Sequence, residues 1–304
     1  MTDVNALNAA IAGNFMQVQV RIRKWSGKQV DRSLSNELEV AKAAKHGALK
    51  TVKNLLAGAD DELREVNSAL DSIRTYTYNK TLPWATNSDG AMRGPRLLPV
   101  RDTTDFLSEY KSLVRSYEQA KQSFLDVYEA RRQQAIANLG GAGNPADYPT
   151  TDEIDNQFNV DLDLGVVAAV NDFSRLPIPA DVAQALGQRM ASKQEQAINN
   201  AMNDLFKRML ESVQRMATQL GKHAEEGNAR LYKTMVQNVR DINSLLTAAN
   251  VTGNSHLSEL AEKIERELCP HDVEVYKANP GLAKQKSEQA ALIAKDIENS
   301  IEWY

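Results

Sequence analysis

The sequence predicts a mainly α protein: an antiparallel helical bundle with long coiled-coil-like helices and a small two-stranded β-ribbon. Three observations carry this expectation. Between Thr103 and Leu139 the apolar positions Phe106, Tyr110, Leu113, Tyr117, Ala120, Phe124 and Val127 recur at alternating steps of four and three. Such a seam needs a partner helix to cover it. A second long stripe, Ile198, Met202, Leu205, Met209, Val213, Met216 and Leu220, has the same helical spacing. Two short segments instead alternate with period two, as half-exposed strands do.

Taken in order, residues 2–14 are small and polar and read as a short helix or arm. Met16, Val18, Val20 and Ile22 then alternate with Gln17, Gln19, Arg21 and Arg23, a strand pattern that Trp25-Ser26-Gly27-Lys28 turns. Ser33 or Ser35 is placed to cap a helix carrying Leu34, Leu38, Ala41, Leu49, Val52 and Leu56 on one face, closed by Gly58. Asp60 or Asp61 opens a second helix with Leu63, Val66, Leu70 and Ile73, so the pair reads as a helical hairpin. From Tyr76 to Val100 the period vanishes among Pro83, Gly90, Gly94, Pro95 and Pro99. A loop of that length inside a compact domain is more often functional than filler.

Asp102 or Thr103 caps the long helix, which Gly140-Gly141 ends. Thr150 and Glu153 have the spacing of a capping box. Phe158, Val160, Leu162 and Leu164 form the second alternating run, with Asn159, Asp161 and Asp163 on its other face. Its acidic face is expected to pair with Arg21 and Arg23, closing a β-ribbon between distant segments. Leu176-Pro177-Ile178-Pro179 marks a stiff boundary, giving a helical domain with the ribbon over 1–175 and an all-helical region over 176–304. In the latter, Leu231, Met235, Ile242, Leu245 and Ala249 continue the stripe after Gly221 and Gly227, with Asn238 expected on the seam. Asn254 or Ser255 caps a helix that Pro270 stops, and Pro280 begins the last one, with Ala290, Ile293, Ile297 and Ile301 inward.

The composition is that of a soluble globular chain: 304 residues, 42% apolar and 25% charged. Cys269 is the single cysteine, which fits a reducing compartment. No apolar stretch approaches the ~20 residues that span a bilayer. The expected location is the cytoplasm, without membrane contact. The net charge of −4 hides a polarised distribution. Residues 21–32 and 74–101 each carry +4, which leaves −12 for the rest.

Motifs for chemistry are sparse. Asp161 and Asp163 fall on one strand face, but a divalent cation asks for further ligands that the sequence does not supply. Cys269-Pro270-His271-Asp272 gathers three donor types without the second cluster a zinc site requires. Gly140-Gly141-Ala142-Gly143 follows a helix rather than a strand and lacks a terminal Lys-Ser/Thr. The expectation is a protein that is not an enzyme and uses no cofactor.

Two functional expectations follow. The first is assembly: the seams and Met-rich faces suit self-association or the docking of a protein partner, as in a scaffold or adaptor. The alternative is single-stranded nucleic-acid binding or annealing, with cations along the backbone and aromatic faces under the bases. Its candidate residues are Arg21, Arg23, Lys24, Trp25 and Lys28 in one basic segment, and Tyr76, Tyr78, Trp84, Arg93 and Arg96 in the other.

An alternating strand, Trp25-Ser26-Gly27-Lys28, a hairpin, a Gly/Pro loop ending Leu97-Leu98-Pro99 and a long helix together resemble an uncharacterised family of phage and bacterial proteins, known only as a domain of unknown function. The resemblance spans roughly residues 15–175, with Trp-Ser-Gly its sharpest local feature. It implies a phage accessory protein, from a family whose genes lie near those of MoxR-type AAA+ ATPases and von Willebrand-A proteins similar to cobaltochelatase subunits. It implies no catalytic residues.

Overall fold

The structure is a computed structural model that describes residues 4–84, 94–168, 173, 175, 177–227, 229–251 and 253–301. Among these residues the chain forms ten α-helices and six strands, a mainly α fold. It packs into two compact units, each assembled from separated stretches. The first holds Met1–Gln19, Thr75–Leu107 and Leu162–Tyr304; the second holds Val20–Arg74 and Ser108–Asp161. This division differs from a single cut near residue 176, because the N-terminal helix and residues 75–107 pack with the C-terminal helices.

The first unit is built on α6 (Ala180–Glu226) and α10 (Pro280–Ile301). Gln214 on α6 donates to Glu298 on α10 (3.0 Å), and Ser287 on α10 donates to the Ala217 carbonyl (2.7 Å), so the two run antiparallel. The second methionine-rich stripe is its core: Met202, Leu205, Met209, Val213, Met216 and Leu220 are all buried. The methionines therefore fill core space rather than forming an adaptable surface. The helix does not stop at Leu220. It passes through Gly221, where a Cβ would stand 3.0 Å from Ser287 Oγ, and ends at Gly227. Gly221 is thus a close-approach position rather than a helix end.

Helices α7 (Thr234–Ala249) and α8 (Ser255–Leu268) complete this bundle, with α9 (Val273–Ala278) leading into α10 and Asn254 capping α8. Lys263 meets Asp296 (2.7 Å) and Lys286 donates to the Glu267 carbonyl (2.6 Å), which sets α8 antiparallel to α10. The polar residue on the α7 seam is Asn243, buried and donating to the Ala261 carbonyl (3.0 Å); Asn238 is only half-buried. Residue 243 follows Met235, Val239 and Ile242 at helical spacing, whereas residue 238 falls beside that row.

Helix α1 (Val4–Asn14) runs directly into β1 (Phe15–Arg23). The sheet is larger than a two-stranded ribbon: its order is β4-β5-β1-β6, with β4 (Leu82–Pro83), β5 (Arg96–Pro99) and β6 (Asn159–Val166). Phe15–Val18 pair antiparallel with Arg96–Pro99, and Leu82 with Leu97. The expected pairing of β1 with β6 is present, and Arg21 meets Asp161 at 3.1 Å. The extra strands come from the stretch read as an aperiodic loop. Tyr76–Lys80 still belong to α3 (Asp61–Lys80), and residues 85–93 lie outside the described part.

In the second unit the residues of α4 (Thr103–Leu139) from Tyr110 onward form the spine. Tyr110, Tyr117 and Phe124 are buried as the seam predicts, but the next buried position is Tyr128, with Val127 only half-buried. A straight helix drifts against a strict seven-residue repeat, so the stripe moves by one position. Arg131 on α4 pairs with Glu62 at the start of α3. Turns at Gly140–Ala142 and Pro145–Asp147 lead to α5 (Thr151–Asp155), where the Thr150–Glu153 capping box forms reciprocally.

The first member of the expected hairpin is the main departure. Only α2 (Arg32–Ala41) is helical; the chain turns through residues 42–48 and returns as β3 (Thr51–Asn54), paired with β2 (Lys28–Asp31). Of the face Leu34, Leu38, Ala41, Leu49, Val52 and Leu56, only Leu56 is buried. No helix in the described residues is long and apolar enough to cross a membrane.

Candidate functional site

The β2–α2–β3 module of the second unit carries its polar residues inward and its apolar residues outward. Asp31 ends β2 and caps α2 by accepting the Leu34 amide (3.0 Å). One turn on, Ser35 donates to the Asp31 carbonyl (2.5 Å) and accepts the Thr51 amide (2.9 Å). One turn further, Glu39 accepts the Leu49 amide (3.0 Å) and faces His46 (3.3 Å). Positions 31, 35 and 39 share one helix face. Asp31 spends its side chain on the first turn of α2, and Ser35 and Glu39 spend theirs on backbone N–H groups of the returning chain.

The apolar residues of α2 stand beside that row, not on one face of their own. Leu34 and Leu38 lie one turn apart and are 39% and 38% exposed, and Val40 is 82% exposed. Leu49 adds to the apolar surface, and Val30 and Val52, directly paired across β2 and β3, do so as well. Leu34 and Leu38, one turn apart, and the Val30–Val52 pair give the module an unusual share of exposed aliphatic surface, the kind that marks interaction sites; Val40 points away from Leu38.

Beside it lies a cleft of about 880 Å³. Val30, Arg32, Leu34 and Glu37 form one wall, and Gly141 and Asn144 stand on the other. Lys53 holds the walls together. Its ammonium meets Asp147 (2.8 Å), Asp31 (3.0 Å) and the Ala142 carbonyl (2.8 Å). These two carboxylates raise the Lys53 pKa, Asp147 most, then Asp31. The Leu34 amide, and then Lys53, hold the Asp31 carboxyl below its usual range. The Leu49 amide does the same for Glu39. Gln29 Oε1, on the cleft wall, is buried and accepts no hydrogen bond.

Lowered carboxyl pKa values predict acid lability. Among the described residues the carboxyls so held are Asp31, Glu39, Glu62 and Glu153, all in the second unit. Each contributes stability that is fully present above its unfolded value of about 4 and lost as pH falls through the lower folded value. Hydrogen exchange measured while the pH is lowered should therefore show residues 20–74 and 108–161 losing protection first. Simultaneous loss in both units would contradict this.

Within each unit, the described aromatic candidates for nucleic-acid contact are engaged in packing. Trp25 is buried; Phe124 stacks on it at 6.1 Å and Tyr128 meets it edge-on at 5.9 Å. The Trp-Ser-Gly motif is a fold anchor: Ser26 Oγ accepts the Lys28 amide, and the Gly27 carbonyl accepts the Leu55 amide. Gly27 has φ of +65°, and a Cβ there would stand 3.1 Å from Leu63. Arg21, Arg23, Lys24 and Lys28 are exposed, with Arg21 paired to Asp161 and Arg23 reaching the Asn156 carbonyl at 3.5 Å.

In the first unit Tyr76 stacks on Phe106 (5.4 Å), and Trp84 packs against the core. Tyr78 lies under two guanidinium groups, Arg208 at 4.4 Å and Arg96 at 4.9 Å, and its hydroxyl donates to Asp204 (3.3 Å). Arg96 is itself buried on β5 and donates to Thr81 Oγ1 (2.6 Å) and to its carbonyl (2.9 Å). Burial, more than the nearby Arg208, pulls its pKa down to about 10, which leaves it charged at neutral pH. Arg93 lies outside the described residues.

Other motifs are likewise engaged. Burial raises the Cys269 thiol to about 12, so it is no nucleophile at neutral pH. Among the described residues no three His, Cys, Asp or Glu side chains group to hold a metal ion.

The sequence shows these apolar residues as positions that fit a core-facing helix, whereas the structure leaves them partly exposed. The overlooked signal was the polar row Asp31, Ser35 and Glu39 at the same helical spacing. The chain matches no family model, no curated protein and no solved structure.

Proposed function

We propose that this protein acts by assembly, as a helical adaptor that docks a protein partner on the β2–α2–β3 module. The observation that supports the reading is the aliphatic surface of the module: Ser35 and Glu39 are buried, while Leu34 and Leu38 each keep over a third of their surface in solvent and Val30 and Val52 pair in the open. The exposed part of these aliphatic side chains costs solubility, and the backbone bonds of Ser35 and Glu39 help hold the module. A partner burying them gains roughly 25 cal/mol per Å² of apolar surface. A phage accessory role, with an AAA+ ATPase as the partner class, is what the N-terminal resemblance implies. It fits an adaptor that carries no reaction of its own.

The test is a comparison of the full chain with a Leu34→Glu/Leu38→Glu variant as bait in its native host. Both side chains are over a third exposed, and circular dichroism and the melting temperature check that the variant is folded before binding is compared. A stoichiometric partner held by the parent and lost by the variant supports the docking face. A partner retained equally by both would move the docking site elsewhere.

A further inference from the structure

We infer that the segment docked on this face is an acidic amphipathic helix. The inference rests on the docking reading above and adds the chemistry of the occupant. The apolar patch is bordered by one sign of charge. Lys28, Arg32, Lys42, Lys45 and Lys50 are all exposed, and none has a carboxylate partner among the described residues. Against these five stands one exposed acid, Glu37, which accepts a hydrogen bond from Ser33. The other acids of the module, Asp31 and Glu39, are already committed to Lys53 and to the Leu49 amide.

Unpaired cations around an apolar strip favour a partner with apolar residues along one stripe and carboxylates beside it. The Leu34–Leu38 ridge has the four-residue step that a second helix packs against. Strand addition at β3 is opposed at its start, where Ser35 already takes the Thr51 amide. A second copy docked face to face would set the five cations against themselves. A lipid surface is met by protruding shapes with aromatic anchors; here the patch is aliphatic and adjoins a concave cleft.

The test is selection of a random peptide library of roughly 18-residue length, about five helical turns, on the immobilised full chain, with counter-selection on Leu34→Glu/Leu38→Glu. The expected winners carry apolar residues at helical spacing and a clear excess of Asp and Glu. A synthesised winner should bind the parent at least about tenfold more tightly than a Lys42→Glu/Lys45→Glu/Lys50→Glu variant, and should weaken as salt rises. Circular dichroism of both variants checks that each is folded.

Winners that need Leu34 and Leu38 but lack acidic residues and ignore the lysine reversals would overturn this inference and leave the docking reading standing. Failure to select any peptide that depends on Leu34 and Leu38 would overturn both. Two parallel measurements cover the other occupants. Co-sedimentation with phosphatidylcholine–phosphatidylserine vesicles that Leu34→Glu/Leu38→Glu abolishes would make the face a lipid site. A dimer in light scattering that the same variant disperses would make it a self-contact. Either result replaces the acidic helix.

Discussion

Trp25→Ala should destabilise the second unit by about 3–5 kcal/mol, the usual cost of truncating a buried tryptophan. The indole joins strand to helix. It leaves β1 two residues earlier, stacks on Phe124 and meets the edge of Tyr128; Phe124 in turn contacts Phe158 at 6.1 Å. Aromatic pairs in such offset and edge-on geometries add to their area of burial, so the cavity removes several contacts at once. Urea unfolding followed by far-UV circular dichroism reads the effect, and Trp25→Phe should recover much of it. The experiment also separates two roles. An anchor loses stability in the variant. A base-stacking platform keeps its unfolding midpoint and loses affinity for a labelled oligonucleotide instead.

That contrast shows what a sequence discloses. Trp25, Arg96 and Tyr78 fall in basic segments, and segment charge does not distinguish a solvated rim from an internal network. Arg96 is buried because β5 is an inner strand, between β4 and β1. The pairing of β5 with β1 joins residues some eighty positions apart, and no local period announces it. The long helices were legible because their apolar stripes repeat over many turns and because Thr150 and Asn254 cap by local chemistry alone. The α2–β3 region departs from the helical expectation for a physical reason. Leu34, Leu38, Leu49 and Val52 can be fitted to one helical face, yet the turn at 42–48 places them on a helix and a strand. Their common feature is exposure, and the polar row Asp31, Ser35 and Glu39 decides it. Apolar spacing names a face; the hydrogen-bonding demand of the neighbouring backbone decides whether that face points in or out.

The same demand governs the end of α3, where Arg208→Met should cost the first unit on the order of 2–4 kcal/mol. A helix C-terminus leaves carbonyls without intrahelical donors and favours cations. Arg208, buried on α6, donates to the carbonyls of Asn79 (3.2 Å) and Thr81 (3.1 Å) and pairs with Asp204 (3.3 Å). Methionine keeps the bulk but supplies no donor, so the Asn79 carbonyl loses its guanidinium and Asp204 loses its cation. Thr81 retains Arg96. One term works the other way: Arg96 and Arg208 repel each other across Tyr78, and removing one relieves the other. The hydrogen-bond loss is expected to exceed that relief, because Arg96 is already held by Thr81. Arg208→Lys should fall between the two, since a single ammonium does not match the planar fork that spans both carbonyls and covers the ring. Hydrogen exchange of residues 75–84, read beside the urea midpoint, localises the effect. An Arg208→Met protein as stable as the parent would show that relief of the Arg96 repulsion balances the lost bonds, and that α3 is held at this end by Lys80 and Asp241 (2.8 Å) instead.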